Sequence, residues 1–386
     1  MKLNSYPNCP NFSSGPTKKP PKWDLNKIDH LSLGRSHRAK KIKKRINDAI
    51  IKMKKLLNLP NDYLLGIVPG SDTGAFEMAL WNLIGEKSVD ILVWEAFGKY
   101  WSDDIITQLK VPKYRLFSAD YGYLPDLSKI NKSNDIIFTY NGTTSGVKIP
   151  NTDWIDTNRD GLVFADATSA CFAMSIDWRK IDVATFSWQK CLGGEGSHGV
   201  LILSPRAVER LETFEPRRAI PKIFKLTKNK KLINEIFLGE TINTPSMLCI
   251  EDLLISLDWA HKLGGLNKLI EKSQNNLNIV KEFVKKSEWL TFLCKDQKNL
   301  SSTSICLELT NEKLNQKDKL FKIKLVNEVC EILEQKNIAY DIKSYRAAPP
   351  GFRIWGGPTV DEKDLKLFLP WLDWAISKVN YKHKKL

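Results

Sequence analysis

From Tyr63 onward the chain alternates short, unbroken apolar runs with longer stretches of helical periodicity. The runs Leu64–Val68, Asp90–Trp94, Asp135–Tyr140, Gly161–Ala165, Asp182–Ser187 and Gly199–Leu203 read as strands. Lacking a polar face, they belong to a sheet covered on both sides. Thr73–Ile84 lies between the first pair of runs and Tyr100–Lys110 between the second, both of helical length. The pattern predicts a mainly parallel sheet wrapped by helices, with functional residues at the carboxyl ends of its strands. After Pro245 the rhythm changes. Met247–Leu263 and Leu266–Lys286 read as long amphipathic helices, Ser304–Leu309 as a strand and Lys319–Lys336 as a further helix, which suggests a separate α+β unit. Pro216–Lys231, rich in Pro and Lys, reads as an exposed excursion.

Length agrees with two units, since 386 residues exceed the usual span of one domain. Hydrophobic residues at 42% and charged residues at 27% exclude global disorder, a collagen-like chain or a coiled coil. The net charge of +15 suits an anionic partner without choosing one, and it comes mostly from Lys scattered along the chain. No nucleic-acid-binding module or regular aromatic platform accompanies it, so no nucleic-acid partner is expected. The seven cysteines form no CxxC pair, which argues for a reducing compartment. The five histidines fall at no metal-ligand spacing, so no metal site is expected. Neither a signal-like amino terminus nor an apolar run of membrane-spanning length is present, and the expectation is a cytoplasmic protein without a membrane partner.

Three segments could carry chemistry. Pro69-Gly70-Ser71-Asp72-Thr73-Gly74-Ala75 follows a strand and opens a helix, whose free N–H groups and dipole could hold a phosphate, although a plain turn and cap would read the same way. Phe164-Ala165-Asp166-Ala167-Thr168-Ser169 ends an apolar strand on a carboxylate, which needs a cationic or donor partner if buried and could equally cap a helix. Thr185-Phe186-Ser187-Trp188-Gln189-Lys190-Cys191-Leu192-Gly193-Gly194 runs a strand into a lysine and a glycine-rich bend. A surface lysine is the plain alternative, yet a desolvated amine can lose its proton and form an imine with an aldehyde. Together the three supply what pyridoxal phosphate needs: an amine, a carboxylate for the ring nitrogen and an anion cradle.

These residues resemble the phosphoserine aminotransferase family of the class V pyridoxal-phosphate enzymes, from about Gly34 to Gly357. The resemblance implies an α/β protein of fold type I, with a large cofactor-binding domain over residues 16–260 and a smaller α+β domain over 261–386. Lys190, preceded by Gln189, is similar to the cofactor lysine and Asp166 to the ring-nitrogen aspartate. Asp72 and Thr73 fall at the phosphate loop, Trp101 at the aromatic that stacks on the ring, and Thr143 at the partner of its phenolic oxygen. Asn243-Thr244-Pro245 resembles the element that reaches the neighbouring subunit's cofactor phosphate, which implies a homodimer with shared sites. His37 and Arg38 resemble the family's ligands for the substrate phosphate, and Arg353 its α-carboxylate arginine. Arg346 stands where many relatives carry a substrate-phosphate histidine, and the phosphate loop lacks the arginine of some relatives. The implied reaction moves the amino group of L-glutamate to 3-phosphohydroxypyruvate, giving O-phospho-L-serine and 2-oxoglutarate in serine biosynthesis, with 4-phosphohydroxythreonine in pyridoxine biosynthesis left open. The rival within class V is an alanine– or serine–glyoxylate aminotransferase, which needs no phosphate pocket. A cysteine desulfurase is disfavoured because Cys330 falls in a helical pattern.

Overall fold

A computed structural model describes residues 5–310 and 317–384. Residues 311–316 and 385–386, within the expected small domain, lie outside the described residues, as do residues 1–4.

The first unit is built on seven strands: β1 (Leu64–Pro69), β2 (Val89–Val93), β3 (Tyr114–Ser118), β4 (Asp135–Thr139), β5 (Val163–Asp166), β6 (Val183–Phe186) and β7 (His198–Leu203). They lie in the order β1-β7-β6-β5-β4-β2-β3. Strands β3, β2, β4, β5 and β6 run parallel, while β7 is antiparallel to both β6 and β1. The expected mainly parallel sheet is therefore present, with one reversed strand. Alternate residues of its strands enter two cores. Ile136, Phe138, Val163, Ala165, Val200 and Ile202 face one core, and Ile91, Ile137, Phe164, Val183, Leu201 and Leu203 the other.

Helix α1 (Lys40–Leu56) buries Ile42, Ile46, Ala49, Ile50 and Met53 on the first face, leaving the lysine-rich side of 40–44 toward solvent. Helix α2 (Ser71–Leu83) covers the second face with Ala75, Phe76, Ala79, Leu80 and Leu83. The helix expected over Tyr100–Lys110 begins earlier, as α3 (Ala96–Asp103), and its last stretch, Asp104–Gln108, is wound as π-helix. It starts early because Glu95 caps it, accepting from Gly98 N at 2.8 Å, a task usually given to Ser, Thr, Asp or Asn. Helix α4 (Pro205–Thr213) follows β7 under a Ser204 cap, and α5 (Met247–Leu263) packs beside α1, joined by Arg45 and Glu251. The 216–231 excursion is a short hairpin anchored by Leu226 and Leu232.

The second unit is an antiparallel three-stranded sheet of β8 (Leu290–Phe292), β9 (Ser304–Leu309) and β10 (Gly351–Trp355), packed with α6 (Leu266–Val284), α7 (Lys319–Gln335) and α8 (Glu362–Lys384). The beginning of the chain also docks here. Tyr340 N donates to Pro10 O at 2.8 Å, Trp355 N to Phe12 O at 3.0 Å, and the Phe12 ring stacks on Phe368 at 4.6 Å. From there residues 13–17 cross to the first unit. Among the described residues no helix is long and apolar enough to cross a membrane.

Candidate active site

The carboxyl ends of β5 and β6 lie side by side, with Asp166 opposite Thr185 in register. Lys190 follows β6 by a few residues and is half-buried. Its amine is pulled down to about 8, first by desolvation and then by the positive charge of Arg353, against the opposing pull of Asp166, Cys191 and Asp72. The crossing strap closes over it. Lys190 Nζ donates to Ser14 O, Thr17 N donates to Gln189 O at 3.0 Å, and Thr17 Oγ1 donates to Lys190 O at 2.5 Å. A Cβ at Gly15 would lie 2.2 Å from Lys190 Nζ, so a larger residue there would push the amine aside.

Asp166 is buried and doubly held. Its Oδ2 accepts from Trp101 Nε1 at 3.0 Å and its Oδ1 from Thr168 N at 3.1 Å. Trp101, brought by α3, rests on Phe76 with ring centres 4.6 Å apart. Opposite, Thr143 Oγ1 and Ser169 Oγ share a 2.8 Å hydrogen bond, and Asn141 Nδ2 reaches both Ser169 Oγ and Thr303 Oγ1, joining the two units beneath the site. Glu95 clasps the two walls together. Besides capping α3 it accepts from Thr144 Oγ1 at 2.8 Å, and its carboxyl is raised to about 7 by burial, which these hydrogen bonds partly offset.

The cradle forms where α2 begins. Gly70, at φ 83, turns the chain in the left-handed region, and Gly199 lets β7 approach the loop, since a Cβ there would meet Ser71 O at 2.1 Å. Gly70 N and Ser71 N are both used on Ser197 O, while the next N–H groups, of Asp72 and Thr73, have no acceptor within the helix. Thr73 is exposed, but the Asp72 side chain turns inward, 8% exposed, toward Asp166. A carboxylate would repel a phosphate, so Asp72 belongs to the ring end of the pocket rather than to the phosphate end.

Arg353, on β10, is half-buried with a buried Nε lacking a partner. Its guanidinium lies 5.7 Å from the Tyr345 ring, and that of Arg346 lies at the same distance from this ring. Tyr345 in turn meets Phe97 and the Tyr100 hydroxyl, so the second unit's loop closes against α3. His37 is half-buried and Arg38 exposed, and Asn243 and Thr244 lie on an exposed loop before α5. Among the described residues, no hydrogen bond, ion pair or ring contact joins these four side chains to the Lys190 pocket. Ser14, Glu95, Tyr100 and Tyr345 are additions that sequence reasoning missed. Cys330 sits on α7 with its thiol pushed up to about 12 by burial, unlike a poised nucleophile.

Because only the neutral amine attacks an aldehyde, capture of pyridoxal phosphate by the cofactor-free protein is expected to accelerate with pH through a midpoint near 8. Arg353→Gln removes a positive neighbour and should move that midpoint to higher pH. Stopped-flow growth of the visible band across a pH series checks both, and a midpoint near that of an ordinary lysine would contradict the reading.

The pocket fits pyridoxal phosphate: an enclosed amine of lowered pKa, a buried carboxylate beside it, a glycine-shaped anion cradle and a guanidinium whose buried Nε makes no hydrogen bond. The sequence model described as Aminotransferase class-V matches residues 11–320, and the chain belongs to this family of pyridoxal-phosphate-dependent transaminases. It is 51% identical to the phosphoserine aminotransferase of Methanosarcina barkeri over 98% of this chain and 100% of that one. The fold is that of solved aminotransferases. A phosphoserine aminotransferase from Cytophaga hutchinsonii superposes with a TM-score of 0.80 at 24% identity, covering 94% of this chain and 97% of that one. The PLP-bound phosphoserine aminotransferase of Trichomonas vaginalis gives 0.77 at 17% identity, covering 95% and 99%.

Proposed function

We propose that the chain moves an amino group reversibly between L-glutamate and 3-phosphohydroxypyruvate, yielding 2-oxoglutarate and O-phospho-L-serine. The full-length likeness to the Methanosarcina enzyme carries this reading, and the cationic mouth formed by Arg346 and Arg353 supports it. When bound, pyridoxal phosphate supplies an aldehyde that takes up the amino group and a ring that accepts the electron pair released at the substrate Cα. Lys190 is the anchoring amine and, once released, the base that lifts the Cα proton and delivers it on the far side of the transfer. Asp166 would hold the ring nitrogen, Thr143 the phenolic oxygen and Trp101 the ring itself, while the N–H groups of Asp72 and Thr73 and the side chain of Gln189 would hold the phosphate.

Arg353 pairs with the substrate α-carboxylate, while His37, Arg38 and Arg346 receive the substrate phosphate, since planar guanidinium groups suit both anions. His37, Arg38, Asn243 and Thr244 are exposed or only partly covered, which supports a homodimer whose sites are completed by the second copy. A sedimentation profile of monomer alone at working concentration would end that part of the proposal. The seven cysteines are unbridged, in keeping with a reducing, cytoplasmic setting. Residues 16–260 are assigned to the large domain and 261–386 to the small one, the amino-terminal strap docking on the latter.

The deciding assay compares O-phosphoserine with serine as amino donor to 2-oxoglutarate, with 4-phosphohydroxythreonine as a further donor. Phosphoserine should win by at least about 100-fold in kcat/KM, and Arg38→Ala should lower that value about 10- to 100-fold, as expected for a lost charge-assisted contact of about 1.5–3 kcal/mol, with little change for serine. Equal use of both donors would favour the glyoxylate branch.

A further inference from the structure

Asp72 and Asp166 form a buried carboxyl pair at the floor of the pocket. Asp72 stands on the first turn of α2, above the ends of β5 and β6, where the hydroxyls of Thr168 and Thr185 also face it. One helical turn beyond Asp72, Phe76 packs on the Trp101 ring whose N–H Asp166 accepts, so the two carboxyls face each other, and both are nearly closed to solvent. Their surroundings differ. Asp166 receives two N–H donors, from Trp101 and from the Thr168 backbone. Asp72 Oδ1 has no hydrogen-bond partner, and the Thr168 and Thr185 hydroxyls beside it are likewise without one. Two like charges in contact away from water cannot both persist, and the proton settles on the member with fewer donors to satisfy its anion.

We infer that Asp72 is a positioning residue that acts as a neutral carboxylic acid, donating its O–H to Asp166 and thereby holding that carboxylate in place for the cofactor's ring nitrogen. The inference rests on the proposed roles of Lys190 and Asp166. Burial and the neighbouring Asp166 charge push Asp72 well above the usual carboxylate range, and the nearby Thr185 and Thr168 hydroxyls pull it back only in part. The other titratable groups near the pair are the Lys190 amine, which desolvation lowers despite the pull of both carboxyls, the Glu95 carboxyl, which burial and the Asp166 charge raise, and the Cys171 thiol, which burial raises and so keeps neutral. The shared proton leaves the pair with one negative charge rather than two, matching a single protonated ring nitrogen. It also leaves the cradle free of side-chain negative charge, so that the backbone N–H groups of the same turn can serve the phosphate.

The test compares the wild-type protein with Asp72→Asn and Asp72→Ala in cofactor-free and cofactor-loaded form. An infrared difference spectrum of cofactor-free wild type minus Asp72→Asn at neutral pH should show a carboxylic-acid C=O stretch. Glu95, itself raised, is common to both proteins and cancels. Affinities are then read from the visible band with two probes, pyridoxal phosphate and pyridoxal. Asparagine keeps a donor in place of the acid and should hold both affinities within about threefold, whereas alanine should lower both by about tenfold or more, the scale of a lost hydrogen bond to a buried charge. Three results would overturn the inference: no acid stretch in the difference spectrum, asparagine as damaging as alanine, or an alanine defect confined to pyridoxal phosphate, which would make Asp72 a phosphate residue after all. A wild-type protein that forms no coloured complex with pyridoxal phosphate would instead sink the assignment of Lys190, so the two failures are distinct.

Discussion

Lys190→Ala should abolish the visible band of the lysine-bound cofactor and lower kcat by about 10⁴-fold or more, because the proposed function makes one amine both the anchor and the proton carrier, and a positioned acid or base alone contributes about 10²–10⁴-fold. The fold should survive, since the side chain is half-buried and its one hydrogen bond is to the Ser14 carbonyl of a surface-crossing strap. Spectra recorded with added pyridoxal phosphate, alongside turnover with glutamate, provide the check. Ordinary turnover in this variant would end the assignment. Added ethylamine offers a sharper reading. It can replace the base but not the covalent tether, so it should restore a small part of the proton transfer while leaving cofactor retention weak.

Asp166→Ala ranks second. Removing the carboxylate takes a fixed negative charge from a water-poor pocket, and losses of such preorganised electrostatic partners run to about 10²–10³-fold in kcat. It also strands the Trp101 N–H and the Thr168 N–H, two buried donors costing about 1–3 kcal/mol each when left unpaired. Thermal stability should therefore fall with activity. Asp166→Asn separates the effects, since the amide oxygen still accepts from one of the donors but carries no charge. Steady-state kinetics and melting curves on the two variants should show stability largely recovered in asparagine and turnover still low. Turnover recovered together with stability would mean that the charge at position 166 is not needed.

How much could be read beforehand depended on how local the physics was. Strands β2, β4, β5 and β6 were legible because burial on both faces leaves an unbroken apolar run, and the sequence carries it without help from distant residues. Strand β3 escaped because it is an exposed edge, with polar residues and Pro112 around it. Strand β10 escaped for a related reason: it is a short run between Pro349-Pro350 and Gly356-Gly357, and nothing nearby declares its partner β9. In the site, Lys190 and Asp166 were visible as charged residues ending apolar runs, and Glu95 carried the same signal after Val89–Val93 without being recognised. Asp72 was located but its direction was not, because a helix position near the amino end does not say whether a side chain faces the mouth or the floor of a pocket. Ser14 was beyond reach, since its contact with Lys190 spans 176 positions of chain.

That span has a consequence for assembly. Residues 8–17 are synthesised before the seven-stranded unit, yet the surfaces they need, around Trp355, Asp364 and Phe368, are synthesised after it. The seven-stranded unit can form while synthesis continues, in the manner of domains that fold as they appear. The Lys190 amine, which the opening segment covers through Ser14, should therefore stay more open until those surfaces have formed. Loading with the vitamin-derived cofactor is then expected to be easiest at that stage. A bulky fusion ahead of Met1, by hindering the docking of Phe12, should lengthen that stage.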